Sequence, residues 1–288
     1  MIDRRAWRFT DGVLLVGLPA LALAATWRTW ADIFSVALRD QEQSHVLLAP
    51  IVAGWLFWTR RARLRFAKPR WSLAGPCVIA AGWLSSDFGF SHGFLALEHL
   101  GAVMAVAGAA ITILGVQFVL KFLPVFGALL FLIPVPGVIR QGVAGPLQEV
   151  TARVTGFGLE LFGVPVARMG NVLTINGHDV AVAEACNGMR MVAALAIVTY
   201  AFVFSVPMRQ SVRILLIGLS PAVAIVCNVL RLTPTVLLYG YADLNTADLF
   251  HDLSGWAMLF VALGILWATL GLLRWLEVPI APYAIAEE

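Results

Sequence analysis

The chain has 288 residues, 60% of them hydrophobic and only 13% charged, with a mean hydropathy of +0.85. A soluble domain of this size carries about 25% charged residues, so a water-soluble enzyme is excluded and a polytopic membrane protein, organised by the bilayer, is expected. The net charge of +3 forms no nucleic-acid footprint, and the three cysteines (Cys77, Cys186, Cys227), odd in number and in or near apolar runs, imply no disulfide framework.

No tandem repeat or low-complexity linker interrupts the sequence, so residues 1–288 read as one integral-membrane domain. Arg4, Arg5 and Arg8 precede an apolar run from Val13 to Trp27. Ala22-Leu23-Ala24 loosely fits a signal-peptide cleavage site. A retained first span is preferred, because seven further spans and no secreted domain follow. The run from His45 to Trp58 is short for a bilayer and is expected to begin a few residues earlier. It ends in Arg60, Arg61, Arg63, Arg65, Lys68 and Arg70, which the positive-inside rule places in the cytoplasm.

From that anchor the spans alternate. Residues 71–86 go outward, 100–120 return and 121–139 go out again, with Pro134 and Pro136 breaking the outer end. Residues 140–185 stay outside. Residues 187–206 return to a basic loop at Arg209 and Arg213, 214–239 go out, and 253–273 come back to Arg274. The basic loops after spans two, six and eight fall on one side. The expectation is an all-α polytopic bundle of about eight transmembrane helices with both ends cytoplasmic.

The outer segment has its own pattern. Val143, Leu147, Val150, Val154 and Leu161 recur at helical spacing among Gln148, Glu149, Arg153 and Glu160, which suits an amphipathic helix in the interface. Gly163-Val164-Pro165 stops it. Residues 171–175 and 178–182 then flank Asn176-Gly177, a strong hairpin signal. A small extracytoplasmic hairpin is expected there, either closing the outer surface or offering a backbone edge to an extended peptide.

The hairpin leads into Glu184-Ala185-Cys186-Asn187-Gly188-Met189-Arg190, at the mouth of the apolar run 192–206. A helix beginning near Asn187 places Cys186 at its positive end, with Arg190 one turn on, and both effects favour a thiolate. The plainer reading is a small, buried, inert cysteine. Arg231 lies within span seven, where a guanidinium costs about 2.5–3.5 kcal/mol at mid-bilayer. Asn228 shares its helix face, and Pro234 kinks or ends the helix beyond it. Snorkelling or helix pairing is the alternative for Arg231, as a headgroup contact is for His251 at the start of span eight. His45, His92, His99 and His178 also map near the outer face. Cys186, Arg231 and His251 together supply a nucleophile, a cation for an oxyanion and a base. Cys227 is the rival thiol, four residues before Arg231 among apolar neighbours that raise a thiol pKa. The sequence has no His-Glu-x-x-His zinc site, no Gly-x-Ser-x-Gly elbow and no paired intramembrane aspartates. Leu253-Ser254-Gly255 matches a serine intramembrane protease only weakly. No metal or organic cofactor is expected.

These residues resemble the exosortase/archaeosortase family of membrane cysteine transpeptidases. Ser44-His45 and the following Arg-rich loop, Phe131-Leu132-Ile133-Pro134-Val135-Pro136, Phe162-Gly163-Val164-Pro165-Val166 and Gly170-Asn171-Val172 are similar to successive family segments. Glu184 to Arg190 resembles its Glu-x-Cys-Ser-Gly-x-Arg core, and Asn228 to Arg231 and His251 with Gly255 stand at its arginine and histidine motifs. Asn187 replaces the usual serine, and Val46 stands where a glycine is common. The resemblance implies Cys186 as nucleophile, completed by Arg231 and His251. Its implied substrates are secreted proteins with a C-terminal sorting signal: a motif (often Pro-Glu-Pro), one transmembrane helix and a basic tail. Such a helix, tail inside, holds its motif at the outer surface of a bacterial inner membrane. Membrane lipid and a glycan or lipid acceptor are the other expected partners. Glu184, Asn187, Arg190 and Asn228 are supporting candidates. The rival readings are a transporter or exopolysaccharide-assembly subunit, with Arg231 binding an anion, and a membrane acyltransferase using His251 and Asn228.

Overall fold

A computed structural model of the chain describes residues 8–66, 70–182, 188–276 and 278–279. The backbone forms two compact units, Met1–Pro136 and Gly137–Glu288.

The first unit begins with α1, Phe9–Ala25, and α2, Trp27–Arg39, which meet at a bend of 74°. Thr26 marks the break. Its hydroxyl donates to the Ala22 carbonyl at 2.7 Å and accepts from Trp30 Nε1 at 3.0 Å. Helix α2, where the sequence reading placed no element, buries Thr29, Trp30, Ile33 and Ala37 at the spacing of an amphipathic helix. A 3-10 turn, Gln41–Leu47, leads into α3, Leu48–Thr59, whose 12 residues are too few to cross a bilayer unaided.

Helices α4, Ala74–His92, and α5, Leu95–Leu114, form the most extensive pair in this unit. Buried Gly75, Gly82 and Gly89 line one face of α4. A Cβ on Gly82 would stand 2.9 Å from the Gly101 carbonyl oxygen, and one on Gly108 would stand 2.9 Å from that of Gly75. Bare backbone lets the two axes close up, as helices pack where lipid removes the hydrophobic drive between them. Across the seam, Ser85 and Ser86 donate to the carbonyls of Leu97 and Glu98 at 2.9 and 3.3 Å.

Helix α5 stops at Gly115, whose φ of +74° ends the helix, so residues expected in the fourth span instead open a short α6, Val116–Lys121. The expected fifth span is also divided, into α7, Leu123–Leu129, and a 3-10 turn, Leu130–Leu132, before the two prolines. There the buried Gln43 carboxamide brackets Val135, donating to its carbonyl at 3.0 Å and accepting from its N–H at 3.1 Å.

The second unit opens with α8, Gly137–Leu161, followed by β1, Ala167–Met169, β2, Val172–Ile175, and β3, His178–Ala181. The strands form an antiparallel sheet in the order β1-β2-β3, with Leu173 opposite Val180 and Ile175 opposite His178. Asn176 and Gly177 make the β2–β3 turn with φ of 50° and 82°, the left-handed values such a turn requires. Helices α9, Gly188–Ser205, α10, Gln210–Tyr241, and α11, Leu244–Trp275, complete the unit. Leu173, Ile175, Val180 and Val182 pack with Ala152 and Leu159 of α8 and with Leu232 and Val236 of α10.

Among the described residues, three helices are long and apolar enough to cross a membrane: α5, α10 and the Ala257–Trp275 part of α11. The count reaches five if α1 with α2, and residues 123–132 with α8, each form one span. The eight expected from the sequence draw on shorter apolar helices too, α3 and α9 among them. Trp83, Phe90, Phe260 and Trp267 stand exposed on helix surfaces. Apolar faces of this kind are liabilities in water and are solvated by lipid in a bilayer. This is an all-helical integral membrane protein apart from its small sheet.

Candidate active site

The buried stripe of α10 runs through Val223, Ala224, Cys227, Asn228, Arg231, Leu232, Thr235 and Val236. Arg231, only 6% exposed, is the charged member of that stripe. A guanidinium so buried needs polar partners to offset its desolvation. Nε donates to Ser254 Oγ at 3.2 Å, and Nη2 donates to the main-chain carbonyl of His251 at 3.0 Å. Ser254 Oγ in turn donates to that same carbonyl at 3.0 Å. One side chain of α10 is thereby clamped onto a single turn of α11.

The connection between these helices is also braced. Asp243 caps α11, its carboxylate accepting from the Thr246 hydroxyl at 2.7 Å and from the Thr246 N–H at 2.9 Å. Those bonds, the hydroxyl's first, hold the Asp243 carboxyl below the usual range. Tyr239 at the end of α10 donates to Asp248 at 2.6 Å. The turn is short and doubly tied, which fixes how Arg231 faces His251.

Asn228 lies one turn before Arg231 and is 1% exposed. Among the described residues, neither its amide nitrogen nor its oxygen has a hydrogen-bond partner. Cys227 is fully buried with Leu195, Leu216, Val223, Ala224 and Leu266, an apolar setting unsuited to a thiolate.

Cys186, Glu184 and Asn187 lie outside the described residues, and Arg190 is described by its backbone alone, in the first turn of α9. The chain on either side of that segment is placed. Val182 is buried with Leu232 and Val236, the former being Arg231's neighbour in sequence. At the other end of α9, Arg213 Nε donates to the Val203 carbonyl at 3.1 Å, joining α9 to α10. Gly188 and Asn228 each lie fifteen residues from that bond, roughly 22 Å along either helix at 1.5 Å per residue. The start of α9 is therefore about level with Asn228.

Arg231, His251 and Asn228 are brought to neighbouring turns of two packed helices. Ser254 belongs with them, a role the sequence reading did not give it. The available signal was its position one turn after His251. Among the described residues, no group of three or more His, Cys, Asp or Glu side chains is placed to hold a metal ion.

An apolar helical chain with a buried arginine tied to a histidine-bearing helix defines a membrane protein with a polar site inside its bundle. The particular family is shown by comparison. The chain matches the family model for transmembrane exosortases over residues 13–268, most of its length, and belongs to that family. The family consists in general of cysteine-type transpeptidases or proteases that act on secreted proteins bearing sorting signals. No curated protein and no solved structure gives a significant match.

Proposed function

We propose that this chain is a membrane cysteine transpeptidase that removes the C-terminal sorting signal of secreted proteins, with Cys186, Arg231 and His251 as its catalytic groups. The Cys186 thiolate attacks the carbonyl carbon at the sorting motif, and Arg231 stabilises the oxyanion. The C–N bond then breaks, and His251 gives a proton to the leaving amine, which departs with the substrate's transmembrane helix and basic tail. The thioester left on Cys186 is resolved by a second nucleophile. Water in that role gives a protease; a glycan or lipid acceptor at the cell surface gives a transpeptidase. Glu184, Asn187, Arg190 and Asn228 support the site.

The observation that carries the reading is the Arg231–His251 bond, which sets a cation and an imidazole-bearing turn side by side within apolar helices. Burial of Val182 against the same stretch of α10, and the level of Gly188, also support it. The topology proposed with it is one domain of eight spans in a bacterial inner membrane, its site facing the extracytoplasmic side. Membranes co-expressing the protein and a sorting-tagged secreted reporter test it. Cys186→Ala and His251→Ala should each abolish processing while the protein stays membrane-inserted. Undiminished processing by Cys186→Ala would remove the thiol from the mechanism and favour an acyltransferase built on His251 and Asn228.

A further inference from the structure

The turn of α11 that receives Arg231 contains a second feature, Gly255. A Cβ built on Gly255 would stand 3.5 Å from Arg231 Nη2, 3.6 Å from Cζ and 3.9 Å from Nη1. The guanidinium thus faces a patch of α11 that carries no side chain. Its distance from the absent methyl is ordinary van der Waals contact, so packing against Arg231 does not itself demand glycine here. Glycine inside a helix is otherwise disfavoured relative to alanine. A methyl added there would stand directly against the guanidinium.

Two further observations point the same way. Ser254 is 5% exposed and uses its one hydroxyl twice, accepting from Arg231 Nε and donating to the His251 carbonyl. That arrangement fixes the rotation of the guanidinium plane relative to α11. Asn228 presents a buried carboxamide with no partner among the described residues, one turn from Arg231 on the same face of α10. An unpartnered buried amide costs free energy unless something completes it. A carbonyl oxygen entering beside Arg231 offers the acceptor that the Asn228 NH2 lacks.

We infer that Ser254 and Gly255 build a carbonyl-binding slot against Arg231, with Asn228 as its second donor. Gly255 supplies the space, and Ser254 is a positioning residue that aims the guanidinium. The ligand is the carbonyl oxygen of the peptide bond being cut, which becomes an oxyanion as the thiolate adds. This assignment rests on the cysteine mechanism proposed above and extends it to residues with no ionisable group.

The test uses the full-length protein in membranes with a secreted reporter ending in a Pro-Glu-Pro motif, one apolar helix and a basic tail. Initial processing rates are measured over a range of reporter expression, and thermal unfolding is followed on the purified protein in detergent. Gly255→Ala should unfold at or above the wild-type temperature yet process about 100-fold more slowly. A folding role for Gly255 does not produce that split. Ser254→Ala should lower the saturated rate about 10-fold with little change in half-saturation, and Ser254→Thr, which keeps the hydroxyl, should recover most of it. Asn228→Leu should lower the saturated rate in the same way. If Cys186→Ala is inactive but Gly255→Ala processes within twofold of wild type, the slot is wrong and the cysteine mechanism survives. If Cys186→Ala processes the reporter normally while Gly255→Ala does not, the mechanism is wrong and the slot survives. A wild-type protein that leaves this reporter untouched overturns both the substrate assignment and the slot.

Discussion

Arg231 donates from Nη2 to the main-chain carbonyl of His251 at 3.0 Å, so the arginine holds the backbone of the histidine. The bond crosses from the C-terminal part of α10 to the N-terminal part of α11. It fixes the turn of α11 that carries the imidazole.

Arg231→Lys is accordingly not conservative. An ammonium lacks the planar fork that reaches Ser254 and His251 together. Processing should fall about 100- to 1,000-fold, the range for loss of one oxyanion donor. His251→Gln should lose activity with little change in unfolding temperature, because the main-chain carbonyl that Arg231 uses remains. Rates and thermal unfolding measured side by side separate the two variants.

The α4–α5 seam should be intolerant of added volume. Gly82→Leu or Gly101→Val places side-chain atoms against backbone carbonyls, and overpacking of this kind costs about 1–3 kcal/mol or more. Gly12→Ala and Gly17→Ala in α1, with no described atom within 4 Å of the added Cβ, should be neutral or slightly stabilising, since alanine favours a helix over glycine. Unfolding temperature in detergent reads the contrast.

The β2–β3 turn depends on Asn176. Its φ of 50° suits asparagine, and its Nδ2 donates to the Gly240 carbonyl at 2.9 Å, tying the hairpin to the end of α10. Asn176→Val should destabilise the second unit by about 1–2 kcal/mol through the left-handed backbone alone. Asn176→Gly should recover the backbone part and not the tie. A ranking of unfolding temperatures other than asparagine, glycine, valine would contradict this.

Acid should loosen the start of α11. The Asp243 carboxyl is held below its ordinary value by its bonds to Thr246, so the cap stabilises the folded state above the unfolded pKa of about 3.9. That contribution is lost as pH falls through the lower, folded-state value. Asp243→Ala should therefore unfold at a lower temperature than wild type at pH 7, with the gap shrinking as pH drops below about 4. A gap that stays constant down to pH 3 would show that the carboxylate is not the capping group.

Much of the candidate site was legible in the sequence because ionisable groups in apolar runs stand out. Arg231 and His251 were singled out that way, and Asn228 by sharing a helix face with Arg231. Ser254 and Gly255 stood out only as a weak serine-protease match and, for Gly255, as part of the histidine motif the family resemblance implies. A hydroxyl or a glycine in an apolar helix acquires its role beside Arg231 only from what the neighbouring helix places against it. Helix α2 was missed because Arg28, Asp32 and Arg39 interrupt any continuous apolar run, although the stripe of Trp30, Ile33 and Ala37 repeats with helical period. The end of α5 at Gly115 was overrun for the opposite reason, since the residues after it are as apolar as those before. The Asn176-Gly177 turn was readable because its signal is wholly local.

The most direct measurement of the central claim is mass spectrometry of the protein trapped during turnover of a sorting-tagged reporter. The account predicts an acyl adduct on the tryptic peptide containing Cys186, absent in Cys186→Ala and scarce in Arg231→Lys. An adduct on Cys227, or full turnover by Cys186→Ala with no adduct on any cysteine, would contradict it.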